Sequence, residues 1–199
     1  MKKLATLLVA LVASVSTFAQ VEKGTFSIKP MVGLDASTIT NTYDTDYKLG
    51  FTGGVEFGYQ LSNRVGLSVG ALYAMQGLEG KKSNNDKTFN IHSLNIPVLA
   101  NVYLWKGLAV KAGVQPEILL AGKMSTNAGD IDMKPMMNSV NLSIPVGVSY
   151  DFDCGLSLDA RYNIGVTNIF NDKAVMNGYR ASSGKSEMFM LTVGYKFKL

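Results

Sequence analysis

MFMLTVGYKFKL, Met188 to Leu199, closes the chain and decides how the rest is read. From Leu191 onward, Leu191, Val193, Tyr195, Phe197 and Leu199 alternate with Thr192, Gly194, Lys196 and Lys198. Successive side chains of a β-strand point to opposite faces, so this segment is a strand with one greasy side and one polar side. The pattern runs to the last residue, which asks for surroundings that are apolar on one side of a sheet and wet or charged on the other.

The same period of two recurs along the chain. Near Thr25 to Ser37, Phe26, Ile28, Val32, Leu34 and Ala36 oppose Ser27, Lys29, Gly33, Asp35 and Ser37. Near Leu49 to Leu61, Phe51, Val55, Phe57 and Tyr59 oppose Thr52, Gly54, Glu56 and Gly58. A third strand alternates from Arg64 to Gln76, and a fourth from Asn90 to Trp105. A fifth sets Val110, Ala112 and Val114 against Lys111, Gly113, Gln115 and Glu117. The sixth and seventh set Val146, Val148 and Tyr150 against Gly147, Ser149 and Asp151, and Leu158, Ala160 and Tyr162 against Asp159, Arg161 and Asn163. With the closing segment these make eight strands.

Alternation alone fits a water-soluble sandwich as well as a membrane barrel. The connections separate the two. Ser62-Asn63, Lys106-Gly107 and Asp153-Cys154-Gly155 are tight turns, whereas the stretches near Thr38 to Lys48, Leu78 to Thr88, Gly122 to Met137 and Ile169 to Lys185 are long, polar and turn-rich. Short periplasmic turns alternating with longer outer loops belong to an up-and-down outer-membrane barrel. The polar face is also rich in glycine (Gly33, Gly54, Gly58, Gly66, Gly70, Gly113, Gly147, Gly165, Gly194), which suits a crowded, curved inner wall. Tyr59, Trp105, Tyr150, Phe152 and Phe197 lie beside the short turns, where an interfacial aromatic girdle belongs. The predicted fold class is all-β: an eight-stranded antiparallel up-and-down transmembrane β-barrel, its last strand paired with its first.

Compartment follows from the start of the chain. A basic Lys2-Lys3, an apolar run over 4–15 and small residues at Thr17 and Ala19 read as a secretory signal peptide over 1–19, leaving 20–199 as the outer-membrane barrel domain. Lys2 and Lys3 account for two of the 19 basic residues, so the remainder nearly balances the 15 acidic ones. No basic stripe for nucleic acid is left. Cys154 is the single cysteine, which excludes an intramolecular disulfide framework and reads as a turn residue.

An eight-stranded barrel is narrow enough for side chains to fill it. Glu56, Arg64, Lys111, Glu117, Asp159, Arg161, Lys196 and Lys198 fall on the inward phase and are expected to form a structural ionic network that plugs the lumen. No catalytic, metal or cofactor-binding residue is predicted. His92 is the only histidine, and its neighbour Ser93 points to the opposite face of the same strand, which defeats a Ser-His pair. Met124, Met133, Met136 and Met137 make the third outer loop methionine-rich, a composition that suits soft-metal binding or an apolar contact patch but lacks cysteine or histidine beside it. Asp130-Ile131-Asp132 lacks the spacing of a calcium loop. Residues 177–184 read as a surface loop.

Ser93-Leu94-Asn95-Ile96-Pro97-Val98-Leu99, with the related Asn141-Leu142-Ser143-Ile144-Pro145-Val146, resembles the leucine, polar, isoleucine-proline stretch of the PorT-like outer-membrane β-barrel family of Bacteroidetes. The resemblance implies a Gram-negative outer-membrane location and an association with protein secretion. The expected function is structural or protein-interacting and non-enzymatic, acting through outer loops or periplasmic turns. A narrow solute pore is the alternative, and a lipid-modifying enzyme comes third. The expected partners are outer-membrane lipid, the barrel assembly machinery during biogenesis and a protein partner of unspecified identity, around a monomer without cofactor.

Overall fold

The computed structural model describes residues 23–40, 45–80, 88–126, 129–171, 175–176, 179–180 and 184–199. The signal-peptide reading of 1–19 lies outside them, as does most of the loop reading over 177–184. The strands are β1 Phe26–Ile39, β2 Thr45–Gln60, β3 Val65–Gly80, β4 Thr88–Asn95, β5 Val98–Trp105, β6 Leu108–Thr126, β7 Gly129–Asp132, β8 Val140–Asp151, β9 Leu156–Gly165, β10 Val175–Met176, β11 Tyr179–Arg180, β12 Ser186–Tyr195 and β13 Phe197–Lys198. β4 with β5, and β12 with β13, are two halves of single staves. Eight staves therefore run round the barrel in the order β1, β2, β3, β4/β5, β6, β8, β9, β12/β13.

Closure is made by the carboxyl-terminal segment, Met188 to Leu199. β12 pairs antiparallel with β1 from Met31 opposite Gly194 to Ile39 opposite Ser186, and β13 continues it with Ile28 opposite Phe197. The Leu199 amide donates to the Phe26 carbonyl at 2.9 Å. Every stave thus has two neighbours, and no sheet edge is left for lipid to face.

The inside-outside phase read from alternation is the phase observed. Val32, Leu34, Phe57, Val69, Val98, Val146, Leu191 and Val193 are exposed on the outer wall, while Lys29, Glu56, Lys111, Asp159, Arg161 and Thr192 are buried inside. An apolar band round a whole circumference is far larger than a soluble monomer tolerates, and it is the surface lipid requires. Aromatic pairs mark its periplasmic rim: Phe26 with Tyr59, Tyr150 with Phe152, and Tyr195 with Phe197, at ring separations of 4.6, 4.7 and 4.7 Å.

The strands are longer than the alternation predicts. β2 begins at Thr45, β3 reaches Gly80 and β6 reaches Thr126, all inside stretches read as loops. Backbone pairing continues past the lipid boundary, where water removes the need for an apolar face and so erases the period-two signal.

Pro97 and Pro145 both point into the lumen, and neither shifts the register. Gly70 donates its N–H to the Pro97 carbonyl at 2.9 Å, and proline has no N–H to return. The β6–β8 ladder likewise skips two pairs, Gly113 opposite Pro145 and Val114 opposite Ile144, between Ala112–Val146 and Gln115–Ser143. Each proline costs one ladder bond and leaves its stave unbent in register. The one register shift between β4 and β6 falls at His92/Ser93, where β6 carries an extra residue beside Leu120.

Candidate functional site

The lumen holds the concentrated chemistry of this chain, and it is layered. In the middle, five side chains from β1, β2, β6 and β9 meet across the barrel. Lys111 Nζ lies 2.9 Å from Glu56 Oε1 and 2.7 Å from Asp159 Oδ2. Lys29 Nζ approaches the same two carboxylates at 3.1 and 3.6 Å. Arg161 donates through Nε to Asp159 Oδ1 at 2.6 Å and through Nη2 to both Asp159 Oδ2, at 2.8 Å, and Glu56 Oε2.

Local sequence explains the meeting. Asp159 and Arg161 are two apart on β9 and therefore share its inner face. Arg161 can lie flat across the wall because β8 offers Gly147 opposite it: a β-carbon there would stand 2.3 Å from the Ala160 carbonyl and 3.0 Å from Arg161 Cγ. Gly54 on β2 lets its neighbour β3 come close in the same way: a β-carbon there would stand 2.1 Å from the Ala71 carbonyl. Three cations against two carboxylates leave the layer with one excess positive charge. Such a cluster is tolerated in the interior because each charge faces at least two opposite charges within 4 Å, although Arg161 Nη1 is left without a partner.

Toward the periplasm a second, smaller group forms at the rim. Lys196 Nζ donates to Asp151 Oδ2 at 2.8 Å and to the Tyr103 hydroxyl at 2.9 Å, and Ser157 donates to Asp151 Oδ1 at 2.7 Å. The rim and the ionic layer enclose a polar cavity of about 30 Å³.

Toward the outside the chemistry changes. Phe89 and Ile91 of β4, Leu119 of β6, Ile39 of β1, and Met133, Met137 and Ile169 from the outer loops form one buried apolar cluster, with Met124, Met136 and Phe170 packed against it. A short 3-10 turn, Lys134–Met136, and a bridge between Met137 and Phe170 fold the third and fourth outer connections over the mouth. Asn138 ties them by donating to the Asn168 carbonyl at 2.7 Å. The methionine-rich loop is therefore the core of a cap: its sulfurs are packed among aliphatic and aromatic side chains, which is what unbranched, adaptable side chains do best.

Of the residues expected in the ionic network, Glu56, Lys111, Asp159 and Arg161 meet in one layer, and Lys196 pairs separately at the rim. Glu117 is inside but bonds to Ser143 and Gln115, well away from the layer. Arg64 is a correction: it stands exposed at the end of the Leu61–Arg64 turn, beyond the point where the wall encloses anything. Lys198 is exposed at the mouth for the same reason. Lys29 and Asp151 complete the two groups. Their inward phase is visible in the sequence, but their partners are set by axial height, which alternation does not encode.

Residues 18–171 match the family of the outer membrane protein beta-barrel domain. The chain belongs to that family. Its place is the outer membrane of a Gram-negative bacterium. Among solved structures, the chain is similar to Neisserial surface protein A, at 17% identity and a TM-score of 0.55, the match covering 86% of this chain and 97% of that one. Ail, the attachment invasion locus protein of Yersinia pestis, matches at 17% identity and a TM-score of 0.50, covering 88% of this chain and 99% of that one. At such identity the likeness is one of fold. No match was found among curated proteins.

For an outer-membrane barrel the remaining singled-out residues have ordinary places. His92 sits on the outer phase and shares a hydrogen bond of 2.5 Å between its Nδ1 and the Tyr73 hydroxyl, while Ser93 points inward to Gln76 and Asn95. Cys154 is exposed in the periplasmic turn. Among the described residues no group of three His, Cys, Asp or Glu side chains gathers to hold a metal.

Proposed function

We propose that this protein is a closed, monomeric, non-enzymatic barrel that acts as a structural or protein-interaction element of the outer membrane. The observation that carries the reading is the double obstruction of the lumen, by the ionic layer around Arg161 and by the apolar cap around Met137. A solute pore would need both to part, and an acyl-transferring enzyme would want an apolar cavity where this barrel holds five charges. Lipid contacts the outer wall, and the assembly machinery handles the chain during biogenesis.

Interaction would run through the surfaces that leave the bilayer. The β6–β7 hairpin extends beyond the barrel, with β7 paired to β6 and Ile131 exposed. An exposed apolar side chain on a projecting hairpin is a natural anchor for a partner protein. The PorT-like resemblance of the Ser93–Leu99 stretch gives a secretion assembly as the kind of partner to test first.

The experiment is photo-cross-linking in intact cells from Ile131 and, separately, from Asp153 in the periplasmic turn. A reproducible outer-membrane protein adduct from one of the two positions is expected. Recovery of lipid and uncrosslinked monomer alone from both would contradict the interaction reading.

A further inference from the structure

Between the ionic layer and the cap lies a chamber of about 10 Å³, the room of one water-sized particle. Its polar wall is Gln76, Ser93, Glu117, Asn141 and Ser186, and the apolar side chains of the cap roof it. Glu117 is 6% exposed, yet no cation lies within ion-pair distance of it among the described residues. Lys111, the layer cation on the same strand, is six residues nearer the periplasm, roughly 20 Å along an extended chain.

The hydrogen bonds around this carboxylate are one-sided. Ser143 Oγ and Gln115 Nε2 both donate to its Oε1, at 2.6 and 3.0 Å, and among the described residues nothing donates to Oε2. The hydroxyl protons that face the chamber are already committed. Ser186 donates to Gln76 Oε1 at 3.0 Å, and Ser93 donates to Asn95 Oδ1 at 2.8 Å. Asn141 turns its Nδ2 toward the Asn138 carbonyl at 3.5 Å, which leaves Oδ1 without a partner although the residue is only 8% exposed. Gln115 Oε1, beside Glu117, is unpartnered too.

The chamber therefore offers unpartnered lone pairs and one negative charge, and no counter-charge among the described residues. A buried acceptor without a donor is costly, and a buried charge without a counter-charge more so. A water would answer the lone pairs but not the charge. A hydrated ion does not fit. One carboxylate among neutral oxygens balances a single positive charge, and hard cations take oxygen ligands.

We infer that this chamber binds one dehydrated monovalent cation of sodium size, held by the Glu117 carboxylate and the Asn141 side-chain oxygen beneath the cap. The site lies beyond the proposed function: it stabilises the outer half of the barrel whatever the loops contact.

The test is urea unfolding of the full chain refolded in phosphatidylcholine vesicles, at fixed alkaline pH and ionic strength, with sodium chloride exchanged stepwise for choline chloride. The unfolding midpoint should rise with sodium and saturate. Glu117→Gln should lose the response while matching or exceeding the wild-type midpoint in choline. Asn141→Leu should need more sodium for half the effect, and Lys196→Gln, at the rim, should respond as wild type does. Equal wild-type midpoints in sodium and choline would mean that a proton or a water fills the chamber, and would overturn the site. A sodium response that survives in both Glu117→Gln and Asn141→Leu would place the ion elsewhere and overturn it equally.

Discussion

The two halves of the lumen solve the same problem with opposite chemistry. The periplasmic half is filled by charges that cross-link β1, β2, β6 and β9. The outer half is closed by Met133, Met137, Ile169 and Phe89, brought in largely by loops. Where four rigid staves face one another, long charged side chains can be held at fixed distances, and directional bonds reward that rigidity. Where loops are recruited to close the mouth, non-directional apolar packing is the more forgiving filler. Ionic packing thus ties staves together, whereas the cap ties loops to the staves.

That contrast predicts different responses to injury. The largest effect is expected from Asp159→Leu, which leaves Lys29, Lys111 and Arg161 facing Glu56 alone; uncompensated buried charge of this kind costs about 3–5 kcal/mol, read as a lowered urea midpoint in bilayers. Next comes the lipid-facing wall: Val146→Arg or Val193→Arg, at the height of the membrane, should cost roughly 2–4 kcal/mol by the same measurement. Unchanged stability in both would reverse the inside and outside of the barrel. Met137→Ala removes buried apolar volume from the cap and should cost about 2 kcal/mol or more locally. Its signature is faster amide exchange of Asn138 and Ile169, with the exchange of Arg161 and its neighbours unchanged. The smallest effect belongs to Arg64→Ala, an exposed turn position, which should move the midpoint by no more than about 0.5 kcal/mol.

The sequence reads the wall far better than the filling. Because a strand places every second residue on one face, Leu191 to Leu199 reveals both the barrel and its phase, and Lys29, Asp35 and Asp151 fall inside on the same rule. Which inward charges meet depends on how far each stave is slid against its neighbour. That stagger brings Lys29 to Glu56 and Asp159, and leaves Arg64 and Lys198 beyond the mouth, although all three lysine and arginine side chains share the inward phase. The cap was the least legible part. Met133, Met137 and Ile169 carry no period, so nothing in their spacing distinguishes a buried cap core from an exposed patch.

Single-channel recording on the purified full chain in planar lipid bilayers tests the closed lumen most directly. The ionic layer and the cap predict no conductance steps above the lipid baseline, and Met137→Ala should stay silent because the layer alone still blocks the barrel. Discrete steps from the wild-type chain would contradict a sealed lumen and put a solute pore in its place.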